Sequence, residues 1–177
     1  MSDTAVKSNS SVKSIAINGI AIALVFLATG FINIRLPLMA NGGLIHLGNV
    51  PLFLAAIIFG KKTGAISGAF GMALFDLFSG WALWAPFTFV IVGIMGYAVG
   101  KITEKEEHNT LLWYLLAVGA ALIIKIVGYY IAEGIIYGNW VAPVSSIPGN
   151  IIQVVVAGII VIPFAKVLRK QLSTIRP

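Results

Sequence analysis

The chain opens on a polar stretch, residues 1–14, and turns apolar at Ile15. From there, apolar runs alternate with short breaks rich in Gly, Pro or charge. A helix needs about 20 mostly apolar residues to cross the hydrocarbon core of a bilayer. Six runs are read as membrane helices: residues 15–34, 45–60, 63–80, 85–101, 111–133 and 148–168. The second is the shortest. Its plainly apolar part is only 50–59, so it begins near Ile45 or lies deep and tilted. The breaks carry turn chemistry: Arg35-Leu36-Pro37 to Asn41-Gly42-Gly43, Gly60-Lys61-Lys62-Thr63-Gly64, Ser79-Gly80-Trp81 to Trp84-Ala85-Pro86, and Tyr137-Gly138-Asn139-Trp140 leading past Pro143 and Pro148. A secretory signal has a shorter apolar core and a small-residue cleavage site, so the first run is expected to stay as a helix.

Composition sharpens this picture. Hydrophobic residues make up 59% and charged residues 10%, too few charges to cover a water-facing surface and too much apolar content for disorder. The expectation is an all-α membrane protein of six transmembrane helices in a single integral membrane domain, 1–177, with no room for a soluble catalytic or nucleotide-binding domain. Six spans put both termini on one side. Lys7, Lys13, Lys61, Lys62, Lys101, Lys105, Lys166, Arg169, Lys170 and Arg176 then share that side, Arg35 falls on the other, and Lys125 lies inside a helix. That asymmetry marks the side of the termini and of the 1–14 tail as cytoplasmic. It also explains the net charge of +6 without nucleic acid. The chain has no cysteine, which excludes disulfides, thiolate catalysis and Cys-based metal sites. His46 and His108 are far apart, so neither a metal nor a cofactor is expected. Gly60-Lys61-Lys62-Thr63 is not a phosphate loop, because Lys62 stands where Ser or Thr belongs.

Small residues recur at helix-contact spacing. Gly60, Gly64 and Gly68 repeat every fourth residue, as do Gly96 and Gly100. In lipid such faces let backbones approach closely, and packing within the bundle is the expected use. Ala16, Gly19 and Ala23 share one face of the first helix, which is open either to internal packing or to a partner.

Ionisable groups at membrane depth insert at a cost of about 2.5–3.5 kcal/mol and mark functional candidates. Asp76 lies near the outer end of the third helix, Lys125 two turns inside the outer end of the fifth, and Glu133 closes the fifth. At about 100° per residue, Tyr129 and Glu133 share a face with Lys125, and Gly128 and Ala132 leave room between them. Asn150 and Gln153 share a face of the sixth helix. His46, Asn49, Trp81, Trp84, Asn139 and Trp140 join the same outer half from the loops. Bland readings exist for each: the tryptophans as an interfacial belt, Lys125 as a structural ion pair with Asp76 or Glu133, Asn150 and Gln153 as interhelical hydrogen-bond glue. The clustering at one end favours an outward pocket for a small, flat, polar ligand, formed by Asp76, Trp84, Lys125, Tyr129, Glu133, Asn150 and Gln153, with His46 and Asn49 from the first loop. Aromatic faces would hold a ring, and amides and charges would read its edge.

The sequence resembles the substrate-binding S components of energy-coupling factor (ECF) vitamin transporters. The segments that carry the resemblance are His46-Leu47-Gly48-Asn49-Val50-Pro51, Phe59-Gly60-Lys61-Lys62-Thr63-Gly64, Asp76-Leu77-Phe78-Ser79-Gly80-Trp81, Trp84-Ala85-Pro86 and Asn150-Ile151-Ile152-Gln153. They are most similar to the branch with riboflavin-type and hydroxymethylpyrimidine- or pyridoxine-type members. The resemblance implies a six-helix riboflavin-transporter-like bundle, a pocket near the outer face, and a complex with a transmembrane coupling subunit (the T component) and two cytoplasmic ATPases. It implies that ATP-driven closure topples the whole subunit in a prokaryotic plasma membrane to deliver the vitamin. It assigns coupling to two alanines four apart on the first helix. Here that spacing falls on Gly19 and Ala23, with Ala16 beside them, and the glycine departs from the pattern. No catalytic residue is expected, since the ATPases do the hydrolysis. An intramembrane enzyme using Asp76, Glu133 and His46 is the alternative of another class, but no metal motif or Ser/Lys pair accompanies them. A stand-alone channel is the third reading, and another vitamin, such as riboflavin or pantothenate, is the runner-up for substrate.

Overall fold

The computed structural model describes residues 2–35 and 44–172. Leu36 to Gly43 and residues 173–177 lie outside the described residues, and with them the turn read at Pro37 and Asn41-Gly42-Gly43 and the basic residue Arg176. So do the side chains of residues 2–11 and 35, among them Lys7 and Arg35. Six α-helices follow one another: α1 (Ser2–Phe31), α2 (Asn49–Phe59), α3 (Lys61–Phe78), α4 (Ala85–Ile102), α5 (Leu111–Tyr137) and α6 (Ile147–Gln171). Between α1 and α2, strands β1 (Asn33–Arg35) and β2 (Leu44–His46) pair antiparallel, Asn33 opposite His46 and Arg35 opposite Leu44. Single 3-10 turns sit at Glu106–His108 and Ala142–Ser146.

Among the described residues, four segments are long and apolar enough to cross a membrane: Val12–Phe31, Ala85–Ile102, Leu111–Tyr137 and Ala142–Gln171. The other two helices differ for physical reasons. At 11 residues, α2 reaches about 16 Å, roughly half the hydrocarbon thickness. With 18 residues α3 is as long as α4, but Lys61, Lys62 and Asp76 dilute its apolar character. Ile20, Leu24 and Phe31 of α1, Leu115, Ile123 and Ile135 of α5 and Ile159 and Phe164 of α6 are all exposed on the outside of the bundle. An exterior so apolar belongs against lipid tails, and the chain is an all-α membrane protein with one small hairpin.

Several boundaries differ from the sequence reading. The backbone of α1 is helical from Ser2, so the polar tail read over 1–14 continues the helix. At its other end α1 stops at Phe31, where the Asn33 side-chain amide donates to the carbonyls of Thr29 (3.0 Å) and Gly30 (2.5 Å). The second helix begins at Asn49 and not at 45, because Leu44–His46 gives its backbone groups to β1. Gly60, at φ +93°, ends α2 and starts α3 in one residue, a left-handed conformation that disfavours a side chain. Glu133 does not close the fifth helix, which runs one turn further to Tyr137 and stops on left-handed Gly138.

The core is helix against helix around Leu52, Phe53, Met72, Met95, Val99, Val154 and Val161, all 2% exposed or less. The closest pair is α3 with α4. A Cβ at Gly64 would lie 2.6 Å from the carbonyl oxygen of Gly96, and one at Gly100 would strike the backbone of Lys61. One at Gly68 would meet the Val92 carbonyl at 2.9 Å. These glycines are internal packing positions, as their spacing predicts. Gly19 differs, since nothing lies within 4 Å of the position its Cβ would take. Ala16, Gly19 and Ala23 are all exposed on α1, opposite the buried Ala21, Val25 and Thr29.

Candidate functional site

The site is built where α3 turns into α4. Ser79 Oγ donates to the Phe75 carbonyl, which ends α3. Gly80, at φ +86°, reverses the chain, and the Trp81 N–H returns to the Asp76 carbonyl at 2.9 Å. The Trp84 N–H then bonds Trp81 O at 2.8 Å, and α4 begins with Pro86 in its first turn. This compact turn sets Asp76, Trp81 and Trp84 around one opening, the two indoles edge to face at 5.3 Å between centroids. One turn into α4, Thr88 lies 3.1 Å from the Tyr129 hydroxyl of α5. Close approach of the two helices makes this possible, since a Cβ at Gly128 would meet Ile91 at 2.7 Å. Gly128 therefore packs against α4; it does not leave the space within the site that the sequence reading gave it.

The opposite wall comes from α5, α6 and the hairpin. Lys125 is buried, and its ammonium donates to Gln153 Oε1 at 3.1 Å while standing 5.5 Å from the centre of the Tyr129 ring. Gln153 Nε2 donates in turn to the Leu44 carbonyl of β2 at 3.0 Å. The two-bond chain ties α5, α6 and the hairpin together. His46, also on β2, is buried; its Nδ1 accepts from the Gly48 N–H at 3.2 Å, which leaves Nε2 to carry the ring proton. Burial, and secondarily the charge of Lys125, holds His46 below its ordinary range, so the ring is neutral.

Leu44, His46, Asp76, Trp81, Trp84, Thr88, Lys125, Tyr129, Asn150 and Gln153 thus enclose one cavity with about 450 Å³ of empty space, part of it open at the mouth. Seven of the nine ligand-site residues read from the sequence meet there: Asp76, Trp84, Lys125, Tyr129, Asn150, Gln153 and His46. The other two do not line it. Glu133 is fully buried and accepts a hydrogen bond from Ser146 Oγ at 2.5 Å, which pins α5 to the 3-10 turn before α6. Asn49 is fully buried at the start of α2, and among the described residues neither end of its amide has a partner. Lys125 forms no salt bridge among the described residues, so the ion pair weighed for it with Asp76 or Glu133 is replaced by Gln153. Trp140 stands apart, 53% exposed, its ring over Gly134 and its carbonyl accepting from the Tyr130 hydroxyl. Thr88 was not legible as a site residue, although its spacing of four from Trp84 puts it on the same face.

What the cavity lacks is as informative as what it holds. Among the described residues, Asp76 Oδ2 and Trp84 Nε1 are buried with no hydrogen-bond partner. A buried donor or acceptor left unmet costs about 1–3 kcal/mol, and here one of each belongs to a residue that lines the same cavity. The described residues contain no group of three or more His, Asp or Glu side chains placed to hold a metal ion.

The chain is 32% identical over 160 residues to the thiamine precursor transporter HmpT of Lactococcus lactis subsp. cremoris, covering 90% of this chain and 87% of that one. It is 31% identical over 142 residues to an uncharacterized protein of Pyrococcus woesei, covering 80% and 93%. The family model described as the S component of the ECF-type riboflavin transporter matches residues 9–170, so nearly the whole bundle is accounted for, and the chain belongs to that family of transporter S components.

Proposed function

We propose that this S component binds a small aminopyrimidine or pyridine vitamin precursor, hydroxymethylpyrimidine before pyridoxine, in the cavity between Asp76, Trp84, Lys125 and Asn150. The observation that carries this is the unmet pair, Asp76 Oδ2 as acceptor and Trp84 Nε1–H as donor. An aminopyrimidine presents a complementary edge: an exocyclic N–H donor beside a ring-nitrogen acceptor. The Trp81, Trp84 and Tyr129 rings supply faces on which such a ring stacks. The name of the Lactococcus relative, a thiamine precursor transporter, supports the same ligand class. Mass spectrometry of ligand released from the purified subunit tests it. Recovery of an aminopyrimidine is the expected result, and recovery of a flavin or of pantothenate overturns it.

The rest of the reading concerns the membrane and the partners. The six-helix bundle spans the cell membrane, both termini and the loop around Glu106 are cytoplasmic, and the cavity opens outward. The basic residues at one end support this orientation. A cysteine at Asn139 is expected to react with an impermeant reagent from outside, and one at Glu106 is not. Through the exposed Ala16, Gly19 and Ala23 face, α1 docks on a transmembrane coupling subunit, whose two ATPases drive toppling of the bundle and release of the ligand inside. Gly19→Leu is expected to abolish uptake while the isolated subunit still binds ligand. Loss of both together would make the face internal packing.

A further inference from the structure

A second cavity lies on the far side of the bundle, unrelated to the ligand site. Ile17, Ile20, Ala21 and Leu24 of α1, Pro51, Leu54, Ala55, Ile58 and Phe59 of α2, and Leu168 of α6 line an apolar groove with about 900 Å³ of empty space. At Phe59 the groove runs into a polar pocket formed by Ser14 and Asn18 of α1 and Lys61, Lys62, Thr63 and Glu104 around the start of α3. Along α1 the lining extends from Leu24 to Ser14, about 15 Å at the helical rise. That matches one leaflet, since the hydrocarbon core is about 30 Å thick. The apolar part therefore has the length of an acyl chain, and the polar part falls at headgroup level.

The chemistry of the polar end selects the headgroup. Glu104 is the anion there, and it is held by Lys61 (2.7 Å) and Lys101 (3.0 Å). Lys62 is exposed and, among the described residues, has no ion pair, so three lysines face one carboxylate and the pocket remains positive. The first turn of α3 starts at Gly60 with no side-chain cap, which leaves its N–H groups for an anion. Asn18 Oδ1 is buried in this pocket with no partner among the described residues and calls for a hydroxyl or amine donor.

We propose that the α1–α2 groove and its lysine-lined end bind one anionic phospholipid with a hydroxylated headgroup, of the phosphatidylglycerol type, its phosphate at Lys62 and the α3 N-terminus and an acyl chain along Ile17, Ile20, Leu54 and Ile58. The inference rests on the membrane-protein fold alone and does not depend on which vitamin the outer cavity takes. Because the groove borders the exposed Gly19 and Ala23 face of α1, the lipid occupies the surface of the free subunit and has to leave when a partner helix docks there.

Native mass spectrometry of the delipidated subunit, titrated separately with phosphatidylglycerol, phosphatidylcholine and free glycerol phosphate, tests this. One phosphatidylglycerol per subunit is expected, retained over phosphatidylcholine. Lys62→Gln, at an exposed position, is expected to weaken it about fivefold, the effect of one lysine at a membrane surface. Ile20→Trp, which fills the groove from its exposed side, is expected to displace both lipids. Circular dichroism and thermal unfolding in detergent report that each variant is folded. Equal retention of the two lipids overturns the proposal, as does a preference that neither variant changes. Competition by free glycerol phosphate would assign the pocket to a soluble anion instead, and also overturns it.

Discussion

Around Arg169, near the lysine-rich end of the bundle, polar groups are matched inside the protein. The guanidinium is 4% exposed and donates to the carbonyls of Thr103, Glu104 (2.9 Å) and Lys105 (3.0 Å), three acceptors in the turn that follows α4. Next to it, Glu104 bridges Lys61 and Lys101. At the opposite end, Asp76 Oδ2 and Trp84 Nε1 are just as buried and have no partner among the described residues. Both ends hold charged or polar groups at depth, so burial alone does not distinguish a binding site. The difference lies in unmet hydrogen-bonding capacity: the Arg169 cluster is closed on itself, and the cavity at the opposite end is incomplete without a ligand.

Four experiments test that contrast, from the largest expected effect to the smallest. Arg169→Met removes the guanidinium's bonds to the three carbonyls, each a charge-assisted bond of about 1.5–3 kcal/mol. Thermal unfolding in detergent is expected to show the greatest loss of the four, with ligand affinity of the surviving folded protein unchanged. A variant as stable as the wild type would mean that water serves these carbonyls equally well. Gln153→Ala follows. It strands both Lys125 Nζ and the Leu44 carbonyl, at about 1–3 kcal/mol for each buried partner. Here stability and affinity fall together, whereas Asn150→Ala lowers affinity with little change in the folded yield. Equal unfolding temperatures for the two variants would show that the Lys125–Gln153–Leu44 chain carries no stability.

Trp84→Phe keeps a ring and deletes the unmet N–H. Its expected signature is ligand binding weakened by about 5- to 150-fold, from 1–3 kcal/mol for the lost bond, with the unliganded protein no less stable. Unchanged affinity in a titration would remove Trp84 Nε1 as a ligand donor. The smallest effect is electrostatic. Hydrogen bonds from Lys61 and Lys101 pull the Glu104 carboxyl from 4.5 down to about 2. A depressed carboxylate stabilises the fold above its unfolded value, and the contribution disappears as pH falls through the folded one. Glu104→Gln is therefore expected to lie slightly below the wild type near neutral pH, with the gap closing between pH 4.5 and about 2. This exposed cluster is screened by salt, and a gap that persists at pH 2 or ignores salt would contradict the assignment.

The legibility of these features in the sequence followed their range. Helices are local, and apolar runs with Gly or Pro at their ends marked all six. The hairpin was missed because β1 and β2 pair across residues 36–43, and three-residue strands leave no period to read. The lining of the cavity was legible where helix phase decides it, as for Asp76, Lys125, Tyr129, Asn150 and Gln153. It failed at Glu133, which shares a face with Lys125 but is drawn to Ser146 on another element. Polar character at depth cannot reveal whether a group is matched, because the partner is set by packing. Arg169 shows the same limit from the other side: in sequence it is one more basic residue beyond a helix, and only the fold turns it inward.

That inward turn also dictates an order of assembly. Arg169 follows Thr103 by 66 residues. At roughly 5–20 residues per second of synthesis, the turn after α4 emerges about 3–13 s before the guanidinium that binds it. Helix α6 thus acts as a clasp on that turn, and a ribosome stalled before Arg169 would display an unfastened bundle, a recognisable substrate for membrane proteases.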